Sequence, residues 1–150
     1  GYLAMKDLLG DQEFKKCLHT YMDRWHGKHP SPWDFFYSFN DASGRNLNWF
    51  WKSWYFDNSY IDLAIKNVKK SSRGYSVSLE NIGGMPAPVD MKVTYHDGST
   101  DILHQTPGIW KDNLNQTTVT VKAKKDIQSI ELDGGIWMDA DTSNNTWSNK

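Results

Sequence analysis

The sequence predicts an α+β protein in which a small helical unit precedes an antiparallel β-sandwich. Up to about residue 57 the apolar residues recur every three or four positions, which is the period of an amphipathic helix. From about residue 58 they alternate with polar residues, and turn signals recur at the short spacing typical of small sandwiches. We therefore assign residues 1–57 to the helical unit and residues 58–150 to a sandwich with a polar C-terminal tail.

Composition excludes several classes of protein. The chain has 150 residues and a net charge of −1, with acidic and basic residues in both halves, so we expect no nucleic-acid partner. No apolar run approaches the roughly 20 residues of a membrane-spanning helix. The single cysteine, Cys17, excludes an internal disulfide framework and leaves the redox compartment open.

The first two helices are predicted over residues 2–9 and 11–26. Gly10 ends the first helix, which has no start signal, so we expect it to continue a helix that begins upstream. In the second, Asp11 is the expected N-cap and Gly27 the residue after the C-cap. Its apolar stripe consists of Phe14, Cys17, Leu18, Tyr21, Met22 and Trp25.

The third and fourth helices are predicted over residues 32–42 and 46–55. Ser31 and Asp34 fit a capping box around Pro32 at the start of the third helix, and Gly44 fits the residue that ends it. The fourth helix carries the stretch "NWFWKSWYF", whose six rings wrap most of its circumference. This pattern favours burial on several sides.

Two other interpretations of the aromatic stretch stay open. It could be a ligand platform, although stacking platforms use cationic or polar partners between the rings and only Lys52 is present. It could also pack on another protein or domain. On a helical wheel Trp54 shares a face with Leu47 and Phe50, so we expect it to be buried.

The sandwich is predicted from alternating segments. "SSRG" and "HDGS" are hairpin turns, and the two prolines of "NIGGMPAPVD" indicate a loop or an edge. The chain from about residue 60 to 133 should therefore be antiparallel β, with strands near 61–65, 75–79, 89–95, 99–105, 117–123 and 127–132.

Isolated residues that often carry chemistry do not form a recognisable site. His26 and His29 stand at a spacing seen in metal sites, but they flank a helix exit and lack a third ligand, so we expect solvated loop histidines. Cys17 lies on an apolar stripe and is expected to be a buried, inert thiol. Asp139 and Asp141 resemble part of a calcium loop but lack its glycine and terminal glutamate. No zincin, nucleophile-elbow or phosphate-loop motif occurs.

The order of motifs nevertheless resembles the end of the catalytic domain in the aminopeptidase N-like gluzincins, which are zinc metallopeptidases. The similar segments are "LLG" at residues 8–10, Phe14 to Trp25, Pro32 to Phe36, and Gly44 to Trp51. "NIGGMPAPVDMKVTYHDGST" and "DGGIWMDADTSNNTW" are similar to the following sandwich domain, especially in bacterial members. The resemblance covers nearly the whole chain.

The resemblance implies a role without catalysis for this chain. The family's H-E-x-x-H zinc ligands, downstream glutamate, amine-binding loop and oxyanion tyrosine have no counterpart here, so no catalytic or metal residue is expected. Zinc and peptide substrate would belong to an upstream catalytic domain of the same chain, and a periplasmic or extracellular location is slightly favoured. The side chains expected to pack the domains together are Phe14, Tyr21, Trp25, Phe36, Trp49, Phe50, Trp51 and Trp54. The alternative is a stand-alone β-sandwich module that binds a protein or a glycan.

An incomplete catalytic domain would leave apolar surface uncovered. We expect an exposed patch on the helical unit that includes Leu3, Met5, Leu8 and Leu9, and self-association through that face.

Overall fold

Helices and strands are segregated along the chain in the computed structural model, which describes residues 1–132 and 139–150. The chain divides into two compact units, Gly1–Asn58 and Ser59–Lys150. The first contains the helices and the second two antiparallel sheets, so the predicted α+β class is confirmed. None of the described helices is long and apolar enough to span a membrane.

Three of the four predicted helices agree with the structure to within about two residues. The helical elements are α1 (Tyr2–Leu9), α2 (Asp11–Trp25), α3 (Pro32–Ser43) and α4 (Asn48–Trp51), followed by a π-helical turn (Lys52–Phe56).

The prediction of Asp11 as N-cap is wrong. Gly10 is the N-cap of α2, with φ of 81°, and also ends α1. Glycine adopts this left-handed backbone conformation without steric cost, so a single residue both ends one helix and begins the next. Asp11 lies in the first helical turn, where its carboxylate contacts the Nζ atoms of Lys6 (3.2 Å) and Lys15 (2.8 Å).

The predicted start and end of α3 are confirmed. The backbone N–H and the hydroxyl of Ser31 both donate to Oδ2 of Asp34, each at 2.7 Å, which forms one side of a capping box. Pro32 occupies the first helical turn. Gly44 ends the helix with φ of 63°.

The fourth helix departs from the prediction because its last turn is a π-helix. The Asp57 N–H donates to the Lys52 carbonyl at 3.0 Å, which is a bond across five residues. This wider turn rotates its side chains away from the α-helical wheel. Trp54 lies in the turn and is half-buried, so the prediction that it is buried is wrong.

The described part of the second unit has seven strands in two sheets. The strands are β1 (Leu63–Ser71), β2 (Gly74–Asn81), β3 (Val89–Tyr95), β4 (Thr100–Gln105), β5 (Gln116–Val121), β6 (Ile127–Leu132) and β7 (Thr146–Ser148). One sheet has the order β1-β2-β5, the other has the order β4-β3-β6-β7, and all pairs are antiparallel.

The sandwich differs from the prediction at two places. A short 3₁₀ helix, Pro107–Trp110, follows β4. It begins at a proline, and the Thr106 side chain accepts a hydrogen bond from the Gly108 N–H. The tail is not only polar, because Trp147 of β7 lies opposite Ile130 of β6. The first six residues of the tail motif "DGGIWMDADTSNNTW" lie outside the described residues.

One oxygen atom of a buried carboxylate in the sandwich unit lacks a hydrogen bond. Asp62 is 7 % exposed, and its Oδ1 has no hydrogen-bond partner in the described part of the chain. Burial is the main cause that raises the pKa of Asp62 above its usual value of 3.8, and the negative charges of Asp139 and Asp141 add to the effect.

Asp62→Asn is therefore expected to stabilise the protein at neutral pH. A raised folded-state pKa means that the folded state binds more protons than the unfolded state, so its stability falls as pH rises through that window. Urea midpoints should favour the Asn variant at pH 7 and differ less at pH 3. A variant that is less stable at pH 7 would contradict this.

Candidate functional site: an exposed aromatic surface on the helical unit

Besides Tyr2 of α1, four aromatic side chains are exposed in the helical unit. Trp33, Tyr37, Tyr55 and Phe56 are between 47 % and 63 % exposed. We call these four side chains the aromatic surface. Exposed rings occur singly on many proteins, but here they are joined through direct ring contacts and through the ring of Phe36.

Trp33 connects the two segments that form the aromatic surface. Its ring stacks on Phe56, with the centroids 4.8 Å apart and the planes inclined by 12°. The Tyr37 ring centroid lies 6.5 Å from that of Trp33, and the two ring planes are inclined by 29°. Phe36 lies next to these rings and is buried, with its centroid 5.5 Å from Phe56 and 5.3 Å from Tyr55.

Local backbone geometry explains why these rings are neighbours. Trp33 and Tyr37 are four residues apart on α3 and therefore share one face of that helix. Tyr55 and Phe56 are consecutive residues of the π-helical turn. Partial burial raises the pKa of the Tyr55 phenol. At Gly1, an added side-chain carbon would lie 2.5 Å from the Tyr55 hydroxyl oxygen, so the N-terminal residue lies against this ring.

The eight predicted packing residues occupy two kinds of environment. Phe14, Phe36, Phe50 and Trp51 are buried in the core of the helical unit. Tyr21, Trp25, Trp49 and Trp54 are half-buried. Whether these side chains pack on another domain stays a prediction.

Sequence reasoning overlooked most of the aromatic surface. Trp33, Tyr37, Tyr55 and Phe56 were not among the predicted packing residues. The i, i+4 spacing of Trp33 and Tyr37 just after the capping box is a signal that was available. The outward position of Tyr55 and Phe56 depends on the π-helical turn, which no periodicity indicates.

The predicted apolar patch on α1 is largely covered. Met5 and Leu8 are buried, at 1 % and 7 % exposure, and Leu9 is half-buried. Leu3 is exposed, at 53 %. Met5 and Leu8 therefore do not belong to an exposed face, because they contribute to the core of the helical unit. Exposed rings that contact one another lie at the aromatic surface instead.

The isolated residues singled out in the sequence are accounted for by local structure. Cys17 is buried, its thiol lies 3.8 Å from the Phe39 carbonyl oxygen, and burial raises its pKa, which disfavours the reactive thiolate. His26 and His29 are exposed in the segment after α2.

Asp139 and Asp141 organise turns. Asp139 accepts the backbone N–H groups of Leu63 (2.9 Å) and Asp141 (3.0 Å). Asp141 accepts hydrogen bonds from the Ser143 hydroxyl and from the Ser143 N–H (3.0 Å), and these two bonds, the hydroxyl first, lower the pKa of Asp141. Within residues 1–132 and 139–150, no three His, Cys, Asp or Glu side chains are arranged to hold a metal ion.

Making the aromatic surface polar is expected to reduce exposure of apolar area. The double change Trp33→Ser and Phe56→Ser removes the stacked pair, so binding of a dye specific for apolar surface should fall and any self-association should weaken. Fluorescence titration and light scattering measure both. Ile102→Ser, at a side chain 66 % exposed in the other unit, is the control. Equal effects of the two variants would contradict a special role for the aromatic surface.

The comparisons with known proteins give a similarity of fold. No protein-family model and no curated protein sequence matches the chain. Among solved structures, the chain is similar to Legionella pneumophila aminopeptidase A in complex with aspartic acid, with a TM-score of 0.56 and 14 % identity. The match covers 83 % of this chain and 15 % of that protein. The chain thus spans a small part of the length of this structural neighbour, and the likeness concerns the fold alone.

Proposed function

We propose that the chain is the C-terminal part of a zinc-dependent aminopeptidase of the gluzincin type, and that it supports an upstream active site without catalysing the reaction itself. The supporting observation is the likeness to an aminopeptidase over 83 % of this chain, which includes residues of both units. The parent protein would bind a peptide substrate and hydrolyse it with a zinc-activated water.

The residues that the structure describes do not fit a zinc site. The sequence lacks H-E-x-x-H, and the described residues hold no suitable group of ligands. We therefore derive no catalytic step for this chain and assign zinc binding to the upstream part of the parent protein.

The aromatic surface is the part of the helical unit that we expect the upstream domain to cover. Apolar area left in water costs about 25 cal/mol per Å². Trp33, Tyr37, Tyr55 and Phe56 expose roughly half of their surface or more. Covering them would stabilise the parent protein and fix the position of the helices behind its active site.

The test compares this chain with the reading frame that contains it. The full-length protein should carry zinc and cleave an aminoacyl reporter substrate, whereas this chain alone should do neither. Metal analysis after dialysis and a fluorogenic assay measure the two properties. A full-length protein without H-E-x-x-H, or one zinc per chain in this piece with turnover lost in His26→Ala or His29→Ala, would overturn the proposal.

A second function is favoured by the stacked Trp33–Phe56 pair. Exposed stacked rings are suited to the apolar face of a sugar or to aromatic side chains of a partner, so a stand-alone protein- or glycan-binding module is the alternative. In that case Trp33→Ser should abolish binding to a glycan or peptide array while lowering the stability of this chain by only about 1 kcal/mol. In the aminopeptidase proposal, the same variant in the full-length protein should lower its thermal stability.

A further inference from the structure

Basic side chains converge at one end of the sandwich unit. A groove of about 740 Å³ lies between the tip of the β1–β2 hairpin and the segment that joins β5 to β6. Its cationic lining residues are Lys70, Arg73, Lys122, Lys124 and Lys125. We call these five side chains and the space between them the basic groove.

Strand pairing brings together residues that are about 50 positions apart in the sequence. β2 pairs with both β1 and β5, so Tyr75 lies opposite Lys70 on one side and Val121 on the other. The two loops touch at Gly74, where an added side-chain carbon would lie 2.1 Å from the Val121 carbonyl oxygen. The backbone φ of 132° at residue 74 also favours glycine there.

The cations of the basic groove outnumber the acidic groups around them. Asp126 pairs with Lys70, and Asp97 contacts the Lys125 Nζ at 2.7 Å. Arg73, Lys122 and Lys124 have no ion pair with any residue that the structure describes. This end of the sandwich therefore carries a local excess of about three positive charges on a chain whose net charge is −1.

The shape and lining of the groove restrict the kind of anion. Its volume falls within the roughly 300–1,000 Å³ range of small-molecule sites. Ser72 also lines the groove, and its hydroxyl adds a donor suited to oxyanions, whereas the Ser71 hydroxyl donates to the Gly74 carbonyl oxygen at 3.4 Å. The lining aromatic residue, Tyr75, is buried at 4 % exposure, so the groove offers no exposed ring on which bases of a single-stranded nucleic acid would stack.

We propose that the basic groove binds a small molecule that carries several phosphate or sulfate ester groups. The cations are positioned for a multiply charged ligand, since Arg73 and the Lys122–Lys125 segment face the same space from two loops. This proposal is independent of the aminopeptidase assignment, because it uses residues of the sandwich unit alone.

Calorimetric titration with inositol hexakisphosphate as the probe tests the proposal. We expect saturable binding at low salt that weakens as salt is raised, and a loss of affinity of at least about tenfold in Lys122→Glu/Lys124→Glu. The matched control is Lys52→Glu/Lys111→Glu, which changes the net charge equally at two exposed lysines outside the groove. The control should bind within about twofold of the parent chain, and circular dichroism should show that both variants fold.

Three outcomes would overturn the proposal. The first is no binding of the probe at low salt. The second is an equal loss in both double variants, which would mean that net charge alone attracts the anion. The third is binding to phosphatidylglycerol-containing vesicles without binding to the soluble probe, which would identify a membrane surface as the ligand instead.

Discussion

Replacing Trp51 with alanine is expected to remove a large part of the stability of the helical unit. Trp51 is 2 % exposed, and its ring centroid lies between 4.9 and 6.1 Å from those of five other aromatic residues. Removing such a side chain costs about 3–5 kcal/mol. Its Nε1–H also donates to Oδ1 of Asn40 at 2.9 Å, and without it that acceptor would keep only the longer bond from the Leu47 N–H at 3.3 Å. A unit of 58 residues holds only about 3–9 kcal/mol of stability in total.

The measurement is the helical circular dichroism signal of the variant and its urea dependence. Trp33→Ala is the control, because this tryptophan is 53 % exposed and its removal should cost about 1 kcal/mol, the value of a stacked aromatic pair. If Trp51→Ala retained the full helical signal with an unchanged midpoint, the buried cluster would contribute far less than its contacts indicate.

The sequence predicted most of the fold because local signals and burial pointed in the same direction. The capping box at Ser31 and Asp34, the glycine stop at Gly44 and the "HDGS" turn each satisfy backbone groups within a few residues, so they can be inferred without tertiary information. Alternation in β2 and β3 likewise identified their buried faces, which the structure confirms.

The errors arose where the structure depends on residues distant in sequence or on an unusual turn. Trp54 was placed on an α-helical wheel, and the π-helical turn moved it. Met5 and Leu8 were expected on an open face, and they are buried in the helical core. In both cases the pattern identified apolar residues correctly, but periodicity does not specify which neighbour covers them.

The two candidate sites show the same limit. Trp33 and Phe56 are 23 positions apart and meet only because α3 lies next to the π-helical turn. In the basic groove, cations from two short stretches that are about 50 positions apart become one positive surface through the pairing of β2 with β1 and β5. The net charge of −1 for the whole chain therefore gives no indication of the positive electrostatic potential at the basic groove.

In the sandwich unit, Trp110→Ala is expected to be the most destabilising single change. Trp110 is fully buried in the 3₁₀ helix after β4, and its Nε1–H donates to the Ala87 carbonyl oxygen at 2.9 Å. Alanine would leave a cavity that costs about 3–5 kcal/mol. It would also leave the Ala87 carbonyl without its donor, which adds about 1–3 kcal/mol.

Trp110→Phe separates these two contributions. Phenylalanine keeps most of the buried ring but cannot donate to Ala87, so we expect a loss of about 1–3 kcal/mol, clearly smaller than that of the alanine variant. Urea unfolding followed by the circular dichroism of the strands measures both losses. Trp147→Ala serves as the control in the same unit, because Trp147 is half-buried on the three-residue strand β7 and should matter less. If Trp147→Ala cost as much as Trp110→Ala, the segment from Ala87 to Trp110 would not be the centre of this core.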